Sequence, residues 1–580
     1  MVTNAELLEL IASLRAAETD SLHLEAKRAE SDLPRRLWET LSAFSNTPGG
    51  GVLILGLDEA AGFDGVGVRN PAKMQQDLAS VCGEMDPPVR AVIELHPVEG
   101  KTLVVAEVPE VEISRKPCYY PGAGLTNGAF IGVADGDRKL SQYEVQVMLA
   151  SRGQPREDEE PVVEATIQAF EPELVAGLLG RLRQPEQSPF RRLTDEEALR
   201  TLKALVPHQG GWVPSLGGIL ALGTYPQQFV PALGVTFVVY PTPRIGEPGP
   251  GGERFLDNRR FDGPIPGIVR PLLDALQRNM TRRAVVRGLF REDLWEYPET
   301  AIREALVNAL AHRDLSSGAR GMPVQVQMFP DRLVILNAGG LYGPVTVERL
   351  GDEGISSARN QVLMKLLEDI PAPGERQVTC ENRCSGIGAM LASLRQSGMS
   401  PPRFDDRIST FQVTFPNHSL LDAATLRWLE RRGGAELSDS QRMGLALMRR
   451  GEVLTNSVYR QLTGLDSRVV TRELGDLVNR GLVEQAGSRR WASYRLAPGQ
   501  MEEEDGQPET RARRDRRQAV LNLLRERGEL SRAEIAHALG LTDRATNWWL
   551  SILRNEGMIE FTIPNSRARN VRYRLSGTSR

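Results

Sequence analysis

Four cysteines in 580 residues are too few for a disulfide framework, which excludes the small secreted scaffolds that depend on one. Cys380 and Cys384 lie close in sequence, but no second pair and no histidine cluster joins them, so a structural zinc site is not expected. No stretch approaches the apolar length of a membrane span. Met1 to Ala16 carries acids and no long apolar run, so no secretory leader is expected there. A cytoplasmic protein fits these absences. A P-loop is also lacking. Gly100-Lys101-Thr102 ends like one, but Leu95 stands where its first glycine belongs, which argues against a P-loop helicase. His312-Arg313-Asp314-Leu315 mimics a kinase catalytic loop, yet Ala319 replaces the required Asn and no Asp-Phe-Gly follows. No nucleophile elbow and no zinc-hydrolase motif occurs.

What is present is ordinary in bulk and uneven in detail. Hydrophobic residues make up 41% and charged residues 25% of the chain, as in globular proteins generally. The length exceeds what a single core supports, so several domains are expected. Net charge is −4, yet Arg511 to Arg580 holds 15 Arg and no Lys against 7 acids, a net of +8. Such a tail suits nucleic acid. The preference for Arg over Lys fits a GC-rich bacterial genome.

The most informative stretch is Glu304-Ala-Leu-Val-Asn308-Ala-Leu-Ala-His312. Helical spacing puts a carboxylate, an amide and an imidazole on one side and Ile302, Leu306, Ala309 and Leu310 on the other. Pro298 suits a first turn. A polar helix face needs no function, but a nucleotide site gives these groups one: the amide holds a magnesium ion and the acid orients a water. Two strands are predicted next, over Pro323–Phe329 and Asp331–Leu336. Asn337-Ala-Gly339-Gly340-Leu-Tyr-Gly343 follows, a turn that permits close backbone approach. Cys384-Ser-Gly386-Ile-Gly388-Ala-Met reads as a second glycine turn opening a helix. Turns of this kind offer N–H groups to phosphates.

The Glu304 run resembles the N-box of the GHKL ATPases. The resemblance implies that Glu304 activates water, that Asn308 ligates Mg²⁺, and that ATP lies between this helix and the two glycine turns. His312, Asn337, Gly339, Gly340, Gly343, Gly386 and Gly388 would complete the cofactor site. The order of motifs resembles the ATP-binding domain of bacterial regulators related to the C-terminal part of RecG-like proteins, over about Trp295 to Pro416. Arg359-Asn360 and Gly398-Met-Ser-Pro401-Pro402 are further landmarks. Most GHKL proteins read the adenine amino group with an Asp in the first glycine motif; Asn337 stands there in this chain.

The C-terminal third repeats itself at an offset of 76 residues. Gly464, Leu465, Arg468, Leu474, Leu477, Asn479, Gly481 and Glu484 pair with Gly540, Leu541, Arg544, Leu550, Leu553, Asn555, Gly557 and Glu560. Each copy reads helix, tight turn, helix, two strands, with Thr542-Asp543 capping the second helix of the later copy. Arg468, Thr471 and Arg472 face outward in the first copy; Arg544, Asn547 and Ser551 do so in the second. The tips after the helices carry Arg489 and Arg490, then Arg567, Arg569 and Arg572. The pattern resembles winged helix-turn-helix domains, which place a helix in the major groove and a wing on the backbone. Arg at these places suits phosphate and guanine; the alternative use is protein contact or dimerisation.

At the other end, Asp20-Ser-Leu-His-Leu-Glu25-Ala-Lys27 precedes Ala43-Phe-Ser-Asn46-Thr-Pro-Gly49-Gly50-Gly51-Val-Leu-Ile-Leu-Gly56-Leu-Asp58-Glu59. This run resembles the Schlafen-type AlbA domain over roughly Ala16 to Ser151. In mammalian Schlafens three carboxylates of the pattern form a metal-dependent RNA nuclease. Their counterparts would be Asp20, Glu25 and Glu59, with Mg²⁺ or Mn²⁺ bound, although two of the three exchange Asp for Glu. The other reading of these residues is a fold-determining Glu/Lys pair and strand-end acids.

The expected architecture is multidomain α/β and α+β. It comprises an AlbA-like domain at 1–152, an α/β connecting region at 162–290 and a GHKL-like α/β sandwich at 291–418. Two winged helices follow at 435–497 and 518–577, joined by a linker at 498–517. The expected function is a DNA-binding, ATP-responsive regulator of transcription, acting on duplex DNA and favouring a dimer. The competing class is a metal-dependent nuclease acting on RNA or DNA in stress or phage defence. A third reading is a scaffold that binds nucleotide without turning it over.

Overall fold

Residues 52–55 alternate between two apolar faces, and the N-terminal domain is built around that alternation. In this computed structural model, α1 (Asn4–Ala17), β1 (Leu24–Lys27), α2 (Leu37–Asn46), β2 (Gly51–Leu55), β3 (Val92–Val98) and β4 (Lys101–Val108) form the framework. The sheet order is β1-β2-β4-β3, parallel between β1 and β2 and antiparallel elsewhere. Val52 and Ile54 pack with Leu7, Ile11 and Leu14 of α1. Leu53 and Leu55 pack with Leu41 and Phe44 of α2. A strand buried on both faces must read as a continuous apolar run, as Gly51–Leu55 does.

The structure describes the chain except residues 1, 18–19, 21, 134–135, 250, 288–289, 353–356, 373–377, 381–385, 418–419, 421–422, 434–435, 488–491, 498–499, 501–519, 522, 526, 540–549, 551–552, 554–558, 562–571 and 576–580, and the side chains of 13, 16–17, 282–287, 290–294, 423–424, 533, 537, 539 and 560–561. The contacts divide the chain into two units, Met1–Ala497 and Pro498–Arg580.

One sheet crosses the boundary expected at residue 290. Its strands are β5 (Val235–Val239), β6 (Asp257–Phe261), β7 (Val324–Met328), β8 (Arg332–Ala338), β9 (Arg403–Asp406) and β10 (Thr410–Pro416), in the order β6-β5-β7-β8-β10-β9. β5 and β7 pair in parallel, Val235 opposite Val324 through Val239 opposite Met328; every other pairing is antiparallel. Helices α3 (Ile265–Asn279), α4 (Glu299–Ala311), α5 (Gln361–Asp369) and α6 (Gly386–Gln396) share one apolar core with this sheet. The connecting region and the glycine-turn segment are therefore one folded body.

Two expected connectors are structural. The acidic stretch 153–161 reads as a solvated linker in sequence, but Asp158 is 1% exposed. Its Oδ2 accepts from the N–H groups of Val362 (2.7 Å) and Leu363 (3.1 Å). A carboxylate from elsewhere in the chain thus caps α5 and complements its dipole. Between the bodies expected to end at 418 and to begin at 435 lies α7 (Ala423–Glu430), whose Trp428 is fully buried in the core of the following module.

That module comprises α8 (Asp439–Arg449), β11 (Leu454–Thr455), α9 (Asn456–Thr463), α10 (Ser467–Asn479), β12 (Val483–Ala486) and β13 (Ser493–Leu496), with sheet order β11-β13-β12. The second unit contains β14 (Leu530–Ser531), α11 (Arg532–Leu539), β15 (Ile559–Phe561) and β16 (Arg572–Leu575), in the matching order β14-β16-β15. The registers correspond as well. Leu454 faces Tyr494 and Leu530 faces Tyr573; Val483 faces Leu496 and Ile559 faces Leu575. Leu550 and Leu553 are buried, as expected. No helix among the described residues is long and apolar enough to cross a membrane.

Candidate functional site

Helix α4 is buried nearly all round, yet it presents two polar side chains to a cleft of about 1140 Å³ of empty space, open solvent at its mouth included. Asn308 Nδ2 donates to Glu304 Oε1 at 3.0 Å. The helix ends at Ala311, so His312 is its C-cap (φ −100°, ψ 7°) rather than a third helical position. It still lines the cleft. Burial, and then the Arg359 guanidinium, push its pKa down to about 4, so the imidazole is neutral near pH 7. Asn360 fixes this end of the helix. It is buried, and its Nδ2 donates to the carbonyls of Ala311 and Arg313, each at 2.9 Å. Those carbonyls would otherwise lack helical partners.

The first glycine turn forms the opposite wall. β8 runs on through Asn337, which is buried, lines the cleft and donates from Nδ2 to the Ala338 carbonyl at 3.2 Å. Gly339 (φ +87°) and Gly343 (φ +71°) occupy the left-handed region. A Cβ at Gly340 would overlap the Asp406 carboxylate. The turn is held from behind: the Gly339 N–H donates to the Ser409 carbonyl (2.8 Å) and the Gly340 N–H to that of Ile408 (2.7 Å). Ile408 has φ +66°, an unfavourable conformation for a β-branched residue. Its side chain packs with Ala129, Ile131, Leu140, Val145 and Met148 of the N-terminal domain. Asp406 accepts from the Leu341 N–H at 3.3 Å, and burial raises its pKa to about 6.

Gly386 and Gly388 sit in the first turn of α6 rather than in a turn before it. Their roles differ. A Cβ at Gly386 would collide with the Glu304 carboxylate, whereas one at Gly388 would meet nothing within 4 Å. Glu304 thus lies against a helix N-terminus, where negative charge is favoured. For a magnesium ion the donors fit in part: one amide oxygen and one carboxylate, with phosphates to supply the rest, a usual pattern for that ion.

The N-terminal carboxylates also line one cleft. Asp20, Glu25 and Glu59 border it together with Glu39 and Asp137. Lys27 stands among them, with Nζ 2.6 Å from Glu25 and 4.0 Å from Asp20. Thr40 Oγ1 donates to Glu25 at 3.1 Å. Burial and then neighbouring carboxylates raise Asp20 to about 6, against a backbone hydrogen bond from Ala26 and the charge of Lys27. Asp137 is likewise raised to about 6, by burial first. No group of three or more His, Cys, Asp or Glu side chains among the described residues is arranged to hold a metal ion. The cation that the described side chains set against Glu25 is the Lys27 ammonium group.

On α10, Arg468, Thr471 and Arg472 are exposed while Val470, Leu474 and Leu477 are fully buried. Asp466 caps this helix by accepting from the Arg468 N–H at 2.8 Å. Arg489, Arg490, Arg544, Asn547, Arg567 and Arg569 lie outside the described residues, as do Thr542, Asp543 and the 501–517 part of the expected linker. Arg572 is on strand β16 rather than at a tip, donating to the Glu529 carbonyl (2.7 Å) and pairing with Glu534 (3.0 Å).

Three family models match. Residues 20–141 match "Schlafen, AlbA_2". Residues 321–415 match "Putative ATP-dependent DNA helicase recG C-terminal". Residues 513–560 match "Winged helix-turn-helix DNA-binding". The chain combines a Schlafen AlbA_2 domain, a RecG-C-terminal ATPase-like domain and a winged helix-turn-helix.

Comparison with curated proteins gave no match. Among solved structures, the chain is similar to the DIP2311 protein from Corynebacterium diphtheriae, at 17% identity over 98% of this chain and 99% of that one, with a TM-score of 0.35. It is also similar to the N-terminal domain of a "Putative ATP-dependent DNA Helicase RecG-related Protein" from Nitrosomonas europaea, at 37% identity over 23% of this chain and 91% of that one, with a TM-score of 0.19.

Several residues of the ATPase-like cleft escaped the sequence reading. Leu350, Gly351, Asp352, Ser357 and Cys380 line it, and only the positive φ of Gly351 (+92°) leaves a local trace, a glycine. In the AlbA_2 domain, Gly100 of the false P-loop is a hairpin turn: Glu99 (φ 51°) and Gly100 (φ 76°) link β3 and β4, the geometry of a tight two-residue connection.

Proposed function

We propose that this protein is a DNA-binding regulator, most directly of transcription, whose Glu304–Asn308 cleft takes ATP. The observation that carries the reading is the Asn308–Glu304 hydrogen bond at 3.0 Å, set between the first glycine turn and the N-terminus of α6. The match of 321–415 to an ATP-dependent family and of 513–560 to a DNA-binding one supports it. The six-stranded sheet with α4 and α6 supports a GHKL-type body. The shared topology of the two small sheets supports two winged helices.

Bound Mg²⁺ would neutralise phosphate charge, with Asn308 as its protein ligand. The chain supplies the rest. The turn at 339–343 offers backbone close to the ligand, Asn337 offers an amide to the base, and neutral His312 adds no charge. Glu304 would orient a water and take its proton. Arg468, Thr471 and Arg472 present an exposed face to duplex DNA. The AlbA_2 cleft, where Lys27 pairs with Glu25, takes no part in this reading.

Replacing Glu304 by Gln should keep nucleotide binding and lower hydrolysis by about 10²–10⁴-fold, read by radiolabelled phosphate release beside equilibrium binding. Hydrolysis at the parent rate in Glu304→Gln, or a parent that binds no nucleotide, would sink the assignment.

A further inference from the structure

The cleft wall is tied to the DNA-facing helix through a short run of contacts. Leu350, Gly351 and Asp352 form one part of the wall, and Gly386 and Ile387 of α6 form another. Helix α9 bridges both. Arg460 Nη2 lies 2.6 Å from Asp352 Oδ1. Ser457 Oγ donates to the Glu348 carbonyl at 2.9 Å and Gln461 Nε2 to that of Val347 at 3.3 Å. From α6, Arg395 donates to the Gln461 carbonyl at 3.1 Å. α9 is joined in turn to α10: Asn456 donates to Thr471 Oγ1 at 3.1 Å and the Tyr459 hydroxyl to Glu473 at 2.9 Å.

Charge makes this connection sensitive to an anion. No Lys or Arg side chain is among the described residues that line the cleft, whereas Asp352 and Glu304 are; the Arg359 guanidinium lies behind the glycine turn, donating to the Gly340 carbonyl at 3.1 Å. Arg460 is the cation bound to a wall carboxylate. Its side chain is 32% exposed, and its buried Nε has no partner. A polyanion entering the cleft meets the Asp352 charge unfavourably and the Arg460 charge favourably. Both effects weaken the same ion pair.

We propose that the Asp352–Arg460 pair is the link through which an anionic nucleotide in the cleft alters the Arg468–Thr471–Arg472 face. Phosphate draws Arg460 away from Asp352, and α9 passes the displacement to α10. The proposal rests on the cleft being a nucleotide site and on α10 facing DNA. Coupling of this kind is reciprocal: if nucleotide changes DNA affinity, DNA must change the cleft wall.

Two measurements on the full chain separate the link from the reading beneath it. The first is the affinity for a fluorescent mixed-sequence 30-base-pair duplex at fixed salt, with and without the non-hydrolysable analogue AMP-PNP and Mg²⁺. The analogue should change it by about fivefold or more in the parent, a typical coupling. Arg460→Gln should bind both ligands and show no such change, and Arg460→Lys should restore it. The second is hydrogen exchange of residues 346–352 on adding duplex alone. Exchange should change in the parent and not in Arg460→Gln. Equal coupling in Arg460→Gln and parent overturns the link, as does unchanged exchange at 346–352 when duplex binds the parent. A parent that binds no AMP-PNP but shows the exchange change removes the nucleotide reading and leaves the link between wall and DNA face standing.

Discussion

Two clefts in this molecule are lined by acids, and they differ in what faces those acids. In the AlbA_2 domain the partner is a lysine: Lys27 pairs with Glu25 and reaches Asp20. In the ATPase-like domain Glu304 accepts from the Asn308 amide, and Gly386 lies against its carboxylate. In the first cleft one ammonium group balances one carboxylate, while burial and neighbouring acids raise Asp20 to about 6. Asn308 sets an uncharged donor, and Gly386 no side chain, against the Glu304 carboxylate. Carboxylate count alone does not mark a metal site; the neighbour does.

The largest test of this contrast is Gly386→Ala. Its methyl group would occupy space held by the Glu304 carboxylate. It should abolish AMP-PNP binding and cost about 1–3 kcal/mol of stability through overpacking, read by calorimetry and by denaturant unfolding. Normal affinity in this variant would separate Glu304 from the site.

Next is Lys27→Met. Removing the ammonium leaves Glu25 and Asp20 without their counter-charge and should destabilise the AlbA_2 domain by about 1–3 kcal/mol. If added Mn²⁺ then raises the melting temperature of the variant and not of the parent, the lysine has been standing where an ion can bind. No shift with Mn²⁺ would place the cleft outside metal chemistry altogether.

A smaller effect is expected from acid. Asp20 titrates at about 6 when folded against an ordinary 3.8, so the folded state holds a proton that the unfolded chain has already lost. Stability associated with this group is therefore present below about pH 4 and declines as pH rises toward 6. Asp20→Asn should flatten that part of a melting-temperature profile, and an unchanged slope would remove Asp20 as its source. Smallest is Gly388→Ala, in open space within a helix. It should stabilise by about 0.5–1 kcal/mol and leave nucleotide affinity unaltered; a loss of affinity there would mean that the second glycine serves the ligand directly.

Much of this was legible in the residues because it is periodic or local. The alternation of 324–328, the buried run 51–55 and the inward Leu474 and Leu477 followed from repeat spacing. The pairing of Glu304 with Asn308 followed from one helical turn. What was not legible depends on contacts between distant segments. Asp158 looked like one acid in a linker, because nothing nearby shows that it caps a helix two hundred residues later. Asp352 and Arg460 carry no motif, and only the fold places them 2.6 Å apart. Ile408 reads as an ordinary strand residue, and its left-handed backbone becomes understandable only beside the apolar cluster that receives it.

The parallel pairing of 235–239 with 324–328 has a consequence for how this architecture can be divided. A chain cut at the expected boundary near 290 would strip β7 of its neighbour and leave it as a bare sheet margin, open to pairing with other chains. The block to keep whole begins upstream of 162, since Asp158 caps α5: fusions, transplants and gene truncations that split residues 158–418 should yield aggregates.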